Sequence, residues 1–241
     1  MAHARGVEAL PNDSADGRHG SHYERSAAGL AQNPGMRRIG HRGAMGHAPE
    51  NTIASFEAAL ALGCDEVETD IWLAGDGRLV ISHDPPTAAA TIELATILDL
   101  CRGRMSVNVE LKCAGSDAHA VNTGRTVGAY LASRGDPEVY VSSFWWPALA
   151  AARAVAPGVR RAVLYCGSPD RDALLASARS LELWALHPEY PYVTPELVEA
   201  AHSAGLRLNT WTVNDPRQIA AFAAWGVDGV MSNYPERIPK D

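Results

Sequence analysis

Glu66-Val67-Glu68-Thr69-Asp70-Ile71-Trp72 and, forty residues on, Ser106-Val107-Asn108-Val109-Glu110-Leu111-Lys112 are the two stretches on which the reading of this chain turns. Both mix β-prone apolar residues with polar ones. A strand's period of two puts Glu68 and Asp70 on one face with Glu66 a step below, and Glu110 with Lys112 on one face of the other. Working outward, six more strands are expected at Arg37 to His41, Val139 to Ser143, Arg161 to Tyr165, Leu183 to His187, Leu206 to Trp211 and Asp228 to Ser232. Helical patterns fall between them: Thr52 to Leu62, Ile92 to Cys101, Ala118 to Ala132, Pro147 to Val155, Asp170 to Ala178, Pro195 to Ala204 and Pro216 to Trp225. An extra strand, Arg78 to Ser82, follows the turn Gly75-Asp76-Gly77 and predicts a hairpin. Eight strands alternating with helices predict an α/β fold, a (β/α)₈ TIM barrel with a short β-hairpin insertion after strand 2. An open doubly wound sheet is the alternative, and no G-x-G-x-x-G after a strand and no P-loop pattern supports it.

The chain has 241 residues, and its texture divides it into a flexible N-terminal tail over 1–35, poor in branched aliphatics, and one domain over 36–241. A net charge of -7 gives no footprint for nucleic acid or for an anionic membrane surface. No apolar run approaches the roughly 18 residues of a membrane span, so no integral membrane association is expected. Four cysteines, Cys64, Cys101, Cys113 and Cys166, form no CxxC pair, which argues against zinc and redox motifs. No secretory signal is legible, and a cytoplasmic location is the default expectation. The oligomeric state is left open.

In a barrel, polar residues on the inner face at the carboxyl ends of the strands face the active site. Adjacent strands lie about 4.8 Å apart, so Glu110 falls near Glu68 and Asp70. Three clustered carboxylates raise one another's pKa unless a cation neutralises them, and all-oxygen ligands favour Mg²⁺ or Ca²⁺, with Mn²⁺ also suited. The alternative is that one or more of the acids pair with arginines outside the barrel. Lysine is scarce, only Lys112 and Lys240 beside 19 arginines, so Lys112 reads either as a phosphate ligand or as the neutraliser of Glu110. His41 and His83 end strands on the same side and suit general acid and base work, the alternative being hydrogen-bonded structural histidines. Arg42 offers a planar fork to phosphate, and Gly43 permits close approach. Phe144, Trp145, Trp146, Tyr165 and Trp211 are candidates for the mouth of the site, Trp211 foremost, whereas Trp184 and Trp225 suit packing. His47, His119 and His202 read as surface or structural, and His187 is left undecided.

Ile39-Gly40-His41-Arg42-Gly43 followed by Ala48-Pro49-Glu50-Asn51-Thr52 resembles the opening motif of the glycerophosphodiester phosphodiesterases. Glu68-Thr69-Asp70, Asp76-Gly77 with Val80 and His83-Asp84, Glu110-Leu111-Lys112, Ser142-Ser143-Phe144, Asn209-Thr210-Trp211-Thr212-Val213-Asn214 and Gly226-Val227-Asp228-Gly229-Val230 follow in that family's order, across residues 36–238. The resemblance implies a TIM-barrel phosphoric diester hydrolase that converts glycerophosphodiesters to glycerol 3-phosphate and an alcohol. It implies one divalent cation held by Glu68, Asp70 and Glu110, with His41 and His83 as acid and base. Arg42 and Lys112 would bind the substrate phosphate, and Trp211 and Phe144 would line the pocket. A phospholipase D-like enzyme on lysophospholipids with a cyclic phosphate product, and a non-catalytic barrel that binds phosphorylated ligands, are the alternatives. Two departures stand out: Pro85-Pro86-Thr87-Ala88-Ala89-Ala90 runs almost directly into Thr91 and the next helix, shortening the cover, and Ser232-Asn233 replaces a commoner threonine and aspartate.

Overall fold

The computed structural model describes residues 35–87 and 92–240. The expected tail over 1–35 therefore lies, apart from Gly35, outside the described residues, and so do Ala88 to Thr91 of the shortened cover. The strands are β1 (Arg37–Gly40), β2 (Glu66–Leu73), β3 (Leu79–Ile81), β4 (Ser106–Leu111), β5 (Val139–Ser143), β6 (Arg161–Tyr165), β7 (Ala185–Pro188), β8 (Arg207–Thr210) and β9 (Gly229–Ser232). Between them run α1 (Ile53–Ala61), α2 (Leu94–Cys101), α3 (Asp117–Arg134), α4 (Trp146–Val155), α5 (Arg171–Ser180), α6 (Pro195–Ser203) and α7 (Pro216–Trp225). Every strand and helix expected from the sequence is present, with ends shifted by a few residues.

The sheet order β1-β9-β8-β7-β6-β5-β4-β2 closes through a β1–β2 pairing, and all eight of these strands are parallel. β3 is the inserted strand and runs antiparallel to the upper half of β2, with Ile71 opposite Ile81 and Leu73 opposite Leu79. A parallel barrel is covered on both faces, so its strands are buried along nearly their whole length. Alternate residues such as Val67, Ile71, Val107, Val109, Val141 and Val163 join the helices in the main apolar core. The opposite positions face the barrel axis, where Tyr140, Ala162 and Ala185 form a separate small cluster.

Gly229 lies where β8, β9 and β1 approach closely. A methyl group there would fall 2.7 Å from both Asn209 Oδ1 and Ile39 Cδ1, so those two buried side chains would have to shift to admit a larger residue. The expected first strand ends one residue early because Arg42 adopts φ 51°. His41 still donates its N–H to the Ser232 carbonyl at 3.0 Å, but the chain then turns across the top of the barrel. The strand expected at Leu183 to His187, here β7, starts two residues late, since the Leu183 N–H is still tied to Ala178 at the end of α5. Among the described residues no helix is long and apolar enough to cross a membrane.

Candidate active site

β2 and β4 pair so that Asp70 stands opposite Glu110 and Glu68 opposite Asn108. Oxygens of Glu68, Asp70 and Glu110 come within 4.8 Å of one another, and all three residues are buried. Burial, then the charges of Asp70 and Glu110, push the Glu68 carboxyl well above the usual range. Burial also lifts Glu110, to about 6, against the pull of Lys112. Glu68 Oε1 is buried with no hydrogen-bond partner. Its other oxygen, Oε2, accepts the Arg42 backbone N–H at 3.0 Å.

Two cations border the acids. Lys112 Nζ lies 2.9 Å from Glu110 Oε1 and 3.3 Å from Asp70 Oδ1. Burial works against its charge, but those carboxylates outweigh it and hold the ammonium above the ordinary lysine range. Arg42 donates to Glu50 Oε2 at 2.7 Å, and its Nε lies 3.3 Å from Asp70 Oδ2. Glu50, Glu68, Asp70 and Glu110 thus face Arg42 and Lys112, four acids against two bases, a surplus of two negative charges when all are ionised. That surplus, the hard oxygen donors and the unpartnered Glu68 oxygen fit a divalent cation.

The turn after β1 is shaped by Gly43, whose φ is 79°, and a methyl group there would lie 2.4 Å from Ser55 Oγ. His41 Nδ1 is 2.7 Å from Asn233 Oδ1. An amide oxygen only accepts, so Nδ1 carries the proton and Nε2, 4.0 Å from Glu68 Oε2, presents its lone pair. Burial and then the Arg42 charge lower the imidazole to about 4. Asn233 is itself fixed, its N–H donating to Asn214 Oδ1 at 2.9 Å while the Ser232 hydroxyl donates to the same oxygen at 3.0 Å.

His83, just beyond β3, is not drawn into the acid cluster. Its Nδ1 faces Asp84 Oδ1 at 3.0 Å, and its side chain is 37% exposed, so it stands at the solvent side of the rim. Phe144 and Trp211 meet edge to face, with ring centres 5.5 Å apart, and the Trp211 indole donates to the His187 carbonyl at 2.8 Å. Trp145 and Trp146 are half-buried at the start of α4, and Tyr165 is buried. Trp184 lies at the other end of the barrel between Arg160 and Arg207, whose guanidinium carbons are 4.7 and 5.3 Å from its ring. Trp225 packs on Phe222. His47 pairs with Glu236, His202 with Asp228, and His119 accepts the Ala114 N–H. His187 is fully buried inside the barrel, its Nε2 3.2 Å from the Asn209 amide and its pKa lowered by burial to about 3.

Four residues of this network carried no assignment from sequence: Glu50, Asn51, Asn214 and Asn233. All lie in motifs already noted or beside them. Asn51 donates to Asp70 Oδ2 at 2.8 Å and accepts the Thr69 hydroxyl at 3.0 Å. A polar residue just before a helix cap, or just after the last strand, was the available signal.

A closed parallel barrel with an acid cluster and strand-end bases on its carboxyl rim is the arrangement of a barrel enzyme, and comparison with known proteins gives the class of reaction. The model of the glycerophosphoryl diester phosphodiesterase family matches residues 41–104 and 103–237. The glycerophosphodiester phosphodiesterase of Caldanaerobacter subterraneus subsp. tengcongensis is 28% identical over 234 residues, spanning 83% of this chain and 95% of that protein. The one from Bacillus altitudinis is 29% identical over 238 residues, with the same coverage of 83% and 95%. Among solved structures, an Oleispira antarctica phosphodiesterase in complex with the product sn-glycerol-3-phosphate is similar with a TM-score of 0.75 and 26% identity, over 83% of this chain and 94% of that one. The chain belongs to the glycerophosphoryl diester phosphodiesterase family, and its class of reaction is phosphoric diester hydrolysis.

Proposed function

We propose that this protein hydrolyses glycerophosphodiesters to glycerol 3-phosphate and an alcohol, using one divalent cation, Mg²⁺ or Ca²⁺ with Mn²⁺ also suited, held by Glu68, Asp70 and Glu110. The observation that carries the reading is the convergence of these carboxylates within 4.8 Å, beside His41, Arg42 and Lys112, at the carboxyl rim of the barrel. A bound cation supplies Lewis acidity there and lowers the barrier to attack on phosphorus.

The chain's own residues divide the remaining work. Arg42 and Lys112, both already poised on the carboxylates, turn donors toward the oxygens of the phosphodiester and offset charge that builds as phosphorus becomes five-coordinate. His41 is the base: burial and Arg42 keep it neutral far below pH 7, and Asn233 holds the proton on Nδ1, so Nε2 accepts the proton of the attacking hydroxyl. As the new O–P bond forms, the bond to the departing alkoxide breaks, and His83 at the exposed side of the rim protonates that alkoxide. Such acid and base assistance is worth roughly 10² to 10⁴ in rate. Phe144 and Trp211 form an aromatic edge against which the organic part of the substrate packs.

The test is a panel of glycerophosphocholine, glycerophosphoethanolamine, glycerophosphoglycerol and lysophospholipids, with Mg²⁺, Ca²⁺ or Mn²⁺ added in turn. Release of glycerol 3-phosphate that stops with EDTA and returns with metal is the expected result. A cyclic phosphate seen by phosphorus NMR would assign attack to a substrate hydroxyl, and full activity in EDTA would contradict the reading. Residence in the cytoplasm belongs to the same proposal, supported by four cysteines that are all free thiols. Cell fractionation checks it.

A further inference from the structure

Asn51 sits in the motif Ala48-Pro49-Glu50-Asn51-Thr52, yet the chemistry above gives it no task. The residue is only 6% exposed and adopts φ 57°, a left-handed conformation that asparagine enters more readily than most residues. Its N–H donates to the Arg42 carbonyl at 3.1 Å, and Thr52, the next residue, caps α1. The loop from Arg42 is thereby closed, and the Asn51 amide points to β2. There Nδ2 donates to Asp70 Oδ2 at 2.8 Å, while Oδ1 accepts the Thr69 hydroxyl at 3.0 Å. The ionised Asp70 carboxylate only accepts, so it takes the NH2 end of the amide, and the Thr69 hydroxyl, turned to donate, anchors the oxygen end.

Asp70 needs such a restraint because it stands between two cations. Arg42 Nε lies 3.3 Å from Oδ2, and Lys112 Nζ lies 3.3 Å from Oδ1. A freely turning carboxylate in that place closes onto the guanidinium fork with both oxygens, the strongest pairing open to it. Both oxygens would then be turned to Arg42, whereas here Arg42 lies against Oδ2 alone and Oδ1 faces Lys112. The Asn51 amide holds one oxygen in a fixed direction without cancelling the negative charge, which stays available to a cation beside Glu68 and Glu110.

We propose that Asn51 is a positioning residue that sets the Asp70 carboxylate for cation binding, with Thr69 setting the amide in turn. The inference rests on the cation reading of the preceding subsection. Outer partners of metal-binding carboxylates are worth roughly 10- to 100-fold in affinity. Asn51→Gly is the decisive variant, because glycine accepts the positive φ and only the amide is removed.

The experiment titrates the full chain, stripped by chelator, with Mn²⁺ followed by electron paramagnetic resonance, alongside turnover at each Mn²⁺ level. Asn51→Gly is expected to weaken Mn²⁺ binding about 10- to 100-fold and to regain near wild-type kcat once Mn²⁺ saturates. Thr69→Val, which leaves the amide in place but unpins it, is expected to shift binding the same way by less. Wild-type affinity in Asn51→Gly overturns the inference, as does a lowered melting temperature with unchanged affinity, the mark of a merely structural residue. If Asn51→Gly does not fold, Thr69→Val decides: weaker binding supports the role and unchanged binding contradicts it. Failure of the wild-type chain to take up Mn²⁺ is a different result and overturns the cation reading first.

Discussion

Two glutamates one pleat apart on the same face of β2 are both fully buried and end in opposite situations. Glu66, the lower, has its charge offset: the Tyr140 hydroxyl donates to Oε1 at 2.6 Å, and the Arg37 guanidinium lies 3.2 Å from Oε2, which has no hydrogen bond of its own. Glu68, the upper, also has an oxygen without a hydrogen bond, but the charges that raise its pKa are those of Asp70 and Glu110. Burial raises the carboxyl pKa at both levels, so depth alone does not separate them. The sign of the neighbours does. The lower acid is a tie across the barrel floor, whereas the upper one belongs to a cluster with a surplus of negative charge.

The inner histidines repeat the contrast. His41, at the rim, faces Glu68 and has its proton placed by Asn233, while His187 is enclosed lower down with Nδ1 unpartnered. His41→Ala is expected to cut turnover roughly 10²- to 10⁴-fold with little change in melting temperature. His187→Ala should do the reverse, and steady-state rates with thermal melts on both variants check the pair. Equal rate losses would break the division between rim and floor.

Next in size is a pair of variants, one at each level of acids. Glu110→Gln is expected to lower turnover on the order of 10² to 10³ and yet to raise the melting temperature of the metal-free protein, because a repelling charge leaves the cluster. Tyr140→Phe leaves Glu66 Oε1 without its donor, which costs about 1 to 3 kcal/mol. At roughly 2 to 4 °C per kcal/mol for a chain of this size, calorimetry resolves that fall, and rates should stay within a few-fold of wild type.

A pH dependence completes the set. Burial lowers His187 from 6.5 to about 3, and the neutral form is the one the fold accepts. Its contribution is therefore present in full above pH 6.5 and is lost as pH falls from there toward 3. Urea unfolding at pH 7, 6, 5 and 4 should show wild-type stability declining with acid, and a shallower decline in His187→Leu. An identical slope in the two proteins would place the acid sensitivity elsewhere.

Much of this was legible beforehand because it is local. Periods of two and 3.6 marked β2, β4 and the helices, and the acids at inward positions of β2 and β4 exposed themselves by lacking any apolar reason to be there. Strand pairing then brought Asp70 opposite Glu110 with no further information. What stayed hidden depends on contacts that close only in three dimensions. Asn233 meets His41 across 192 residues, and Asn51 reaches Asp70 through a backbone turn whose positive φ no pattern announces. A charged residue on a buried face declares itself, while an uncharged amide does not. His187 was ambiguous for the same reason, since an imidazole at a strand end suits a rim and a floor equally.

The most direct measurement is calorimetric titration of the chelator-stripped protein with Mn²⁺, run on wild type, Glu110→Gln and Glu66→Gln. One ion per chain in the wild type, loss of that binding in Glu110→Gln and its retention in Glu66→Gln are the expected results. Undiminished uptake by Glu110→Gln, or none by the wild type, would contradict the account.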